Sequence, residues 1–399
     1  MKKYPFYIEL DPKALAIIDR LRSAGHESWA IGGCVRDALM GFKNKDVDIV
    51  TSAHPKQIHE LFGIPGSVGS KFAVNIVSGF EIASYRIDDA DAVSAKETAI
   101  SLASSLSEDV RRRDFTVNAL AYDPVTKQVF DFVGGIDDAK NKILRFVGDP
   151  DKRIKQDPLR MMRAVRFANA KGLEFDLKSF KAIQNNVDLI MNEAPERIQG
   201  ELMKMLESKS VMTGLYLLLT TGLLEKILPE LHEGFSIEQN RKHAESILYH
   251  NFMAADSIKK DDPILRLAAL LHDVAKVKTM RYDEKKQDYT FLSHETQGAK
   301  IATKIMKRLK FSTDDIERVA NLISKHMYFF RDDTKDSTIK RFMSDKDFKN
   351  ILRLRLADRV ANLHPSKIGI PRSFKTLVKR IHVIQKEKHP LSVKDLAIN

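Results

Sequence analysis

Apolar Leu15, Ile17, Ile18 and Leu21 recur at helical spacing and predict a helix over residues 12–24. An apolar run from Ser28 to Ile31 follows, then Gly32-Gly33, then the helix-like stretch Val35–Met40. This order reads as strand, glycine turn, helix. Alternation over Asp46–Thr51 predicts a strand. Lys71–Val77 and Phe80–Arg86 read as two more strands, joined by a tight turn at Ser78-Gly79. Leu120–Tyr122 and Val129–Phe132 read as a hairpin. The chain to about residue 148 is therefore expected to be α/β. Beyond Asp149-Pro150 helical patterns dominate, from Lys152 onward. The expected division is an α/β segment 1–148, a helical segment 149–235, a second helical segment 236–365 and a basic tail 366–399.

The length of 399 residues calls for two to four domains. A hydrophobic share of 43% suffices for globular cores. The net charge of +12 points to a polyanionic partner, nucleic acid ahead of a membrane surface; a lysine-rich soluble protein fits it equally well. The single cysteine, Cys34, excludes an intrachain disulfide and fits a reducing, cytoplasmic setting. The N-terminus lacks the apolar run of a signal peptide, and no stretch of 18 apolar residues predicts a membrane span.

In a strand, residues i and i+2 face the same side, so Asp46 and Asp48 should project together while Val47 and Ile49 face the core. Two carboxylates roughly 7 Å apart at the backbone can share divalent ions, and oxygen ligands suit magnesium. Two such ions can activate an attacking oxygen and stabilise a leaving one. A bare Asp-x-Asp also occurs as two solvated strand-end aspartates. Here Ile31-Gly32-Gly33-Cys34-Val35-Arg36-Asp37 precedes the pair. Glycines opening a helix let backbone N–H groups approach a phosphate, and Arg36, one turn in, could pair with the same triphosphate.

The string GGCVRDALMG followed by DVDIV resembles the first motif of class II tRNA nucleotidyltransferases and bacterial poly(A) polymerases, within the DNA polymerase beta-like nucleotidyltransferase superfamily. Arg112-Arg113-Asp114-Phe115-Thr116-Val117-Asn118-Ala119 resembles the second motif, which implies that Arg113, Asp114 and Asn118 hold the ribose and nucleotide. Asp131-Phe132-Val133-Gly134-Gly135 resembles the third, a hinge-like element between head and neck. Gln156-Asp157-Pro158-Leu159-Arg160 resembles the fourth, usually Glu-Asp-x-x-Arg, and Glu196–Leu202 the fifth. The resemblance implies a nucleotidyltransferase head over 1–148 and an all-α neck over 149–235. It implies that Gly32, Gly33 and Arg36 hold the triphosphate, and that Asp46 and Asp48 bind magnesium.

Asp157 and Arg160 are three apart, which predicts that they are neighbours on one helix face. A carboxylate accepts from an exocyclic amine and a guanidinium donates to ring nitrogen and carbonyl acceptors. The pair would thus admit CTP and ATP; an ordinary helical ion pair is the plain alternative. Gln156 departs from the usual glutamate. Glu81 is the candidate third carboxylate by strand position, with a solvent-facing residue as the equal alternative. Poly(A) polymerases of the family usually carry a basic-aromatic stretch in the strand after the first motif; here Gly69-Ser70-Lys71-Phe72-Ala73-Val74 has a single lysine, so the resemblance implies tRNA end maturation over poly(A) synthesis. The segment 88–107 stands where the family switches from C to A; it lacks the arginine often seen there, so CC-only or A-only addition stays open.

Leu265–Lys276 is an apolar helix running into His272-Asp273. A lone His-Asp pair is weak, but His250, His294, His326 and Asp358 accompany it, and histidine with carboxylate suits transition metals. The order resembles the HD metal-dependent phosphohydrolase domain. This implies His250, His272, Asp273 and Asp358 around one metal, and His294 and His326 around a second metal or a phosphate. His243 is a rival for the first position, and a metal-free scaffold is the alternative. The basic segment Lys367 to Lys394 could contact tRNA phosphates or form a solvated helix face. Its ending resembles the start of a longer tail in relatives.

Overall fold

The computed structural model describes residues 1–43, 46–64, 74–87, 101–240, 245–328, 330–331, 333–362 and 372–386. It divides into two compact units, Met1–Asn192 and Glu193–Asn399. The expected segment 149–235 spans that division.

The first unit runs β1 (Lys2–Pro5), α1 (Pro12–Ser23), β2 (Ser28–Ile31), α2 (Gly33–Leu39), β3 (Asp48–Thr51), α3 (Pro55–Phe62), β4 (Val74–Val77) and β5 (Phe80–Ser84). Next come β6 (Arg86–Ile87), β7 (Ser101–Leu102), α4 (Leu106–Arg111), a 3-10 turn at Thr116–Asn118, β8 (Leu120–Asp123), β9 (Gln128–Asp131) and α5 (Gly135–Asn141). It closes with β10 (Ile143–Leu144), α6 (Pro150–Gln156), α7 (Leu159–Lys171), β11 (Glu174–Phe175) and α8 (Leu177–Asn185). Among the described residues a seven-stranded sheet has the order β1-β9-β8-β2-β3-β5-β4. Only β3 and β5 pair in parallel within it.

The sheet is buried on both faces because β3 alternates between two cores. Ile49 packs with Ile17, Ile18 and Leu21 of α1 and Ile58 of α3. Val50 packs with Leu106 and Val110 of α4, and with Tyr85 and Phe130. The β4–β5 hairpin turns at Ser78 and Gly79, both at positive φ (52° and 87°), as a right-twisted two-residue turn requires. β3 begins at Asp48, so Asp46 and Val47 lie ahead of the strand rather than in it. The alternation expected there persists in burial, with Val47 inside and Asp46 and Asp48 outside. Of the expected strand Lys71–Val77, the part up to Ala73 lies outside the described residues.

The third motif is a tight internal knot. Asp131 accepts hydrogen bonds from the backbone N–H groups of Val133, Gly134, Gly135 and Ile136, at 2.8–3.1 Å. Gly134 sits at φ 87°, and a Cβ on Gly135 would lie 2.1 Å from the Thr116 carbonyl oxygen. Only glycine fits.

The second unit is helical apart from one hairpin. Its elements are α9 (Pro195–Leu206), α10 (Met212–Thr220), α11 (Leu223–Ile227), α12 (Pro229–His232), α13 (Ile247–Ser257), α14 (Pro263–Leu271) and α15 (Lys276–Thr279). β12 (Arg281–Asp283), β13 (Asp288–Thr290), α16 (His294–Arg308), α17 (Thr313–Lys325), α18 (Asp336–Met343), α19 (Phe348–Ala361) and α20 (Arg372–Lys386) complete it. α14 is apolar nearly all round and is the central helix, with seven successive buried residues from Leu265 to Leu271. Among the described residues no helix is long and apolar enough to cross a membrane.

Candidate functional sites

The register of the first unit's sheet assembles the first site. Ile31 at the end of β2 pairs with Asp48 at the start of β3, so the glycine turn emerges beside the carboxylate. A Cβ on Gly32, which sits at φ 76°, would lie 3.7 Å from Asp48 Oδ2, 3.4 Å from Arg113 Nη1 and 3.6 Å from the Asn118 carbonyl oxygen. Gly32, Asp48, Arg113 and Asn118 therefore meet at one point. Ile49 pairs with Ile82 in the parallel β3–β5 ladder, so Asp48 and Glu81, each one residue earlier, project to one side. Crowding by protein atoms, then the negative charges of Glu81 and Asp46, push the Asp48 carboxyl above its ordinary value against the pull of Arg113 and Arg36. An all-carboxylate cluster whose charges repel is a donor set suited to a hard divalent cation. The three carboxylates do not close to within 4.8 Å of one another as the second site's ligands do.

The remaining residues of the second motif brace this point. Arg36, nearly buried, donates to Asn118 Oδ1 and to Asp37 Oδ1, and lies over the Phe167 ring. Its charge is braced by these protein partners beside the glycine turn. Asn118 Nδ2 donates to Asp114 Oδ1 at 3.1 Å, and Arg163 donates to Asp114 Oδ2. Burial opposes it, but Arg163 and these hydrogen bonds hold the Asp114 carboxyl down to about 2. Burial pushes the neighbouring Cys34 thiol up to about 12.

Asp157 and Arg160 do not share a helix face. Pro158 disfavours helical backbone in the residue before it, and Asp157 is extended at φ −151°, ψ 93° between α6 and α7. Arg160 instead donates to the Arg153 carbonyl at 2.9 Å and to Gln156 Oε1 at 3.3 Å. Arg153 donates to the same Gln156 oxygen and to the carbonyls of Arg111 and Arg113. The neutral amide at Gln156 thus links Arg160 to the backbone of the second motif. Sequence reasoning missed Arg163 and Phe167. The repeat Arg160, Arg163, Phe167, at i, i+3 and i+7, was the available signal.

The second site lies wholly in the second unit. His250 stands on α13, His272 and Asp273 just past α14, His294 at the start of α16, His326 at the end of α17 and Asp358 on α19. Two groups of potential ligands converge: His250, His272, Asp273 and Asp358, and Asp273, His294 and His326. Asp273 belongs to both. Its Oδ2 lies 3.3 Å from His272 Nε2 and 3.6 Å from His250 Nε2, while Oδ1 lies 3.3 Å from His294 Nε2 and 3.7 Å from His326 Nε2.

The histidines are oriented for this. Nδ1 of His272, His294 and His326 each lies 2.7 Å from the carbonyl three residues earlier, which assigns the proton to Nδ1. Each Nε2 is then a buried lone pair with no hydrogen-bond partner. His250 differs: its Nδ1 meets Glu245 Oε1 at 3.0 Å and its Nε2 meets Asp358 Oδ1 at 3.1 Å. Burial opposes positive charge at His272, but the carboxylates of Asp273 and Asp358 favour it there. The same negative field would hold a cation. Three orphaned nitrogens around a carboxylate therefore fit a metal with nitrogen and oxygen ligands. A cavity of about 800 Å³ opens onto Asp273, His294, His326 and Asp358, with Tyr328, Phe330 and Arg355 on its wall. The rival ligand His243 lies outside the described residues.

Comparison with known proteins finds three matching stretches, the second of which crosses the boundary between the two units. Residues 28–145 match the poly A polymerase head domain, 172–235 the probable RNA and SrmB-binding site of polymerase A, and 241–363 the HD domain. An A-adding tRNA nucleotidyltransferase of Deinococcus radiodurans is 32% identical over 354 residues, covering 86% of this chain and 78% of that protein. A CCA-adding enzyme of Ligilactobacillus salivarius is 39% identical over 215 residues, 53% of each chain, so this chain spans about half the length of that relative. The solved Bacillus stearothermophilus CCA-adding enzyme in complex with CTP shares the fold, with a TM-score of 0.65 at 24% identity, over 98% of this chain and 86% of that one. The chain belongs to the tRNA nucleotidyltransferase and bacterial poly(A) polymerase family, with an HD domain in its second unit.

Proposed function

We propose that the chain is a template-independent RNA nucleotidyltransferase that adds C, C and A to the 3′ end of tRNA from CTP and ATP. The observation that carries this reading is the meeting of Gly32, Asp48 and Arg113 at one point, with Glu81 on the adjoining strand. The tRNA 3′-hydroxyl oxygen bonds to the α-phosphorus of the nucleotide as the bond to pyrophosphate breaks. Magnesium at Asp46 and Asp48 would supply Lewis-acid stabilisation of the attacking and leaving oxygens. Gly32 and Gly33 let the backbone approach the triphosphate, and Arg113 extends Nη1 over Gly32 toward it. Asn118 and Asp114, locked by Arg36 and Arg163, shape the ribose side. Asp157 and Arg160 read the base edge, Arg160 being aimed by Gln156 and the Arg153 carbonyl.

A-only addition is the second reading. It is favoured by the Deinococcus relative, which matches most of this chain. Magnesium, CTP and ATP supplied with three tRNA transcripts, ending before CCA, after C and after CC, separate the readings. Addition of C, C and A that then stops supports the complete enzyme. Extension of the CC end alone makes it A-adding, and stopping after CC makes it CC-adding. Long A tails make it a poly(A) polymerase.

The HD site supports a further metal-dependent phosphohydrolase activity, on the strength of its three unpartnered imidazole nitrogens. A bound divalent transition metal would polarise a phosphoryl oxygen and acidify water there. Absence of any metal from the purified protein, with no phosphatase or phosphodiesterase activity, would instead make this unit a scaffold.

A further inference from the structure

Asp109 is a carboxylate with no exposure to solvent, in a unit where the other acidic groups near the cleft reach water. Burying a charge is costly unless partners replace its hydration. Its partners are specific. Oδ1 accepts from Arg112 Nε at 2.8 Å and Nη2 at 2.6 Å, and from the Arg86 backbone N–H at 3.2 Å. Oδ2 accepts from Arg113 Nε at 3.2 Å and Nη2 at 3.1 Å.

The position follows from α4. Leu106 and Val110 of this helix pack in the core that also takes Val50, and Val50 shares its strand face with Asp48. α4 therefore covers the face on which Asp48 stands at the strand's open end. Arg112 and Arg113 follow Asp109 by three and four residues, within one helical turn of its carboxylate. The Arg113 fork is used along one edge only. Nε and Nη2 are spent on Asp109, while Nη1 lies 3.4 Å from the place a Gly32 Cβ would occupy. A guanidinium held along one edge has a fixed plane, so its remaining nitrogen has a fixed direction.

We propose that Asp109 is a positioning residue for nucleoside triphosphate binding, fixing Arg113 so that Nη1 presents its protons to the phosphates entering beside Gly32 and Asp48. The proposal rests on the nucleotidyltransferase reading above. Asp109 touches no reacting atom; it acts through Arg113. Its hydrogen bond to the Arg86 backbone also fixes α4 against β6, the short strand that directly follows β5, so the guanidinium is not referenced to α4 alone.

The test is a double-mutant cycle with D109N and R113A in the full chain. Equilibrium binding of ATP and CTP with magnesium is measured, together with KM for nucleotide and for tRNA. D109N should weaken both nucleotides about tenfold, the loss of one oriented charged hydrogen bond, and leave KM for tRNA unchanged. In the R113A background, D109N should change nucleotide binding less than twofold, because the group it aims is gone. An equal loss from D109N in both backgrounds, or unchanged nucleotide affinity in the first, overturns the proposal. If D109N does not fold, D109E serves. It keeps the charge but displaces the fork, and should raise nucleotide KM with kcat little changed; unchanged KM overturns the proposal. If the unmodified protein extends no transcript, the nucleotidyltransferase reading fails. The Asp109 proposal is then decided by nucleotide binding alone, where equal affinities with and without D109N refute it.

Discussion

Both Nε and Nη2 of Arg163 donate to one oxygen of Asp114, at 3.0 and 2.6 Å, across 49 residues of sequence. The other oxygen accepts from Asn118 Nδ2 and the Phe115 N–H. α7 is thereby tied to the second motif through a single, nearly buried carboxylate.

That pairing makes the first unit's stability depend on pH in a stated direction. The folded-state value for Asp114 is depressed to about 2, so its stabilisation is present above the unfolded value. It is lost as pH falls from about 4 toward 2. At pH 7, Asp114→Asn should destabilise this unit by about 2 kcal/mol, and the gap should shrink by pH 3. The sole tryptophan, Trp29, lies in the same unit and reports its urea unfolding. A gap that stays constant with pH would show that the charge of Asp114 contributes nothing.

Gly135 and Gly200 should respond oppositely to alanine. At Gly135 the new Cβ would lie 2.1 Å from a backbone oxygen, and Gly135→Ala should cost more than about 3 kcal/mol or prevent folding. At Gly200, inside α9, nothing lies within 4 Å, and alanine should be neutral or stabilise by up to about 1 kcal/mol. Thermal unfolding of both variants checks the pair; equal destabilisation would contradict the packing described.

Much of this architecture is legible in the residues. The strand-glycine-helix reading of Ser28 to Met40, the Ser78-Gly79 turn and the 120–132 hairpin follow from periodicity and turn chemistry. The six residues of the second site can be grouped from residue type and order, and the structure brings them together. What periodicity cannot give is which long-range partner a charge takes. Spacing does not show that Arg36 donates to Asn118, 82 residues away. Spacing alone puts Asp157 and Arg160 on one helix face, whereas Pro158 disfavours helical backbone at Asp157. The interrupted helix is the local rule that prevailed.

Among the described residues Arg266 is the largest fully buried side chain, and it donates to the carbonyls of Ile258, Leu206, Ser208 and Lys209. It closes the C-terminal end of α9. Arg266→Leu strands these buried acceptors and should cost about 3 kcal/mol or more. Hydrogen exchange should show α9 and α14 opening together. Unchanged protection in α9 would contradict the capping role.

Because Asp273 belongs to both ligand groups, its loss should differ from that of the histidines. Asp273→Ala should abolish metal retention, because it removes a ligand from both groups, whereas His294→Ala should leave the complete group of His250, His272, Asp273 and Asp358 able to bind. Elemental analysis after dialysis against a divalent transition metal gives the stoichiometry. Equal metal content in Asp273→Ala and the unmodified protein would refute the shared-ligand arrangement.

The central claim is that Asp46 and Asp48 carry nucleotide transfer. Its most direct test is incorporation of labelled CTP and ATP into tRNA by the unmodified protein, Asp46→Ala and Asp48→Ala, with Trp29 fluorescence as the check on folding. The account predicts incorporation by the first and loss of at least about a thousandfold in both variants, with native fluorescence retained. Appreciable incorporation by either folded variant would contradict it.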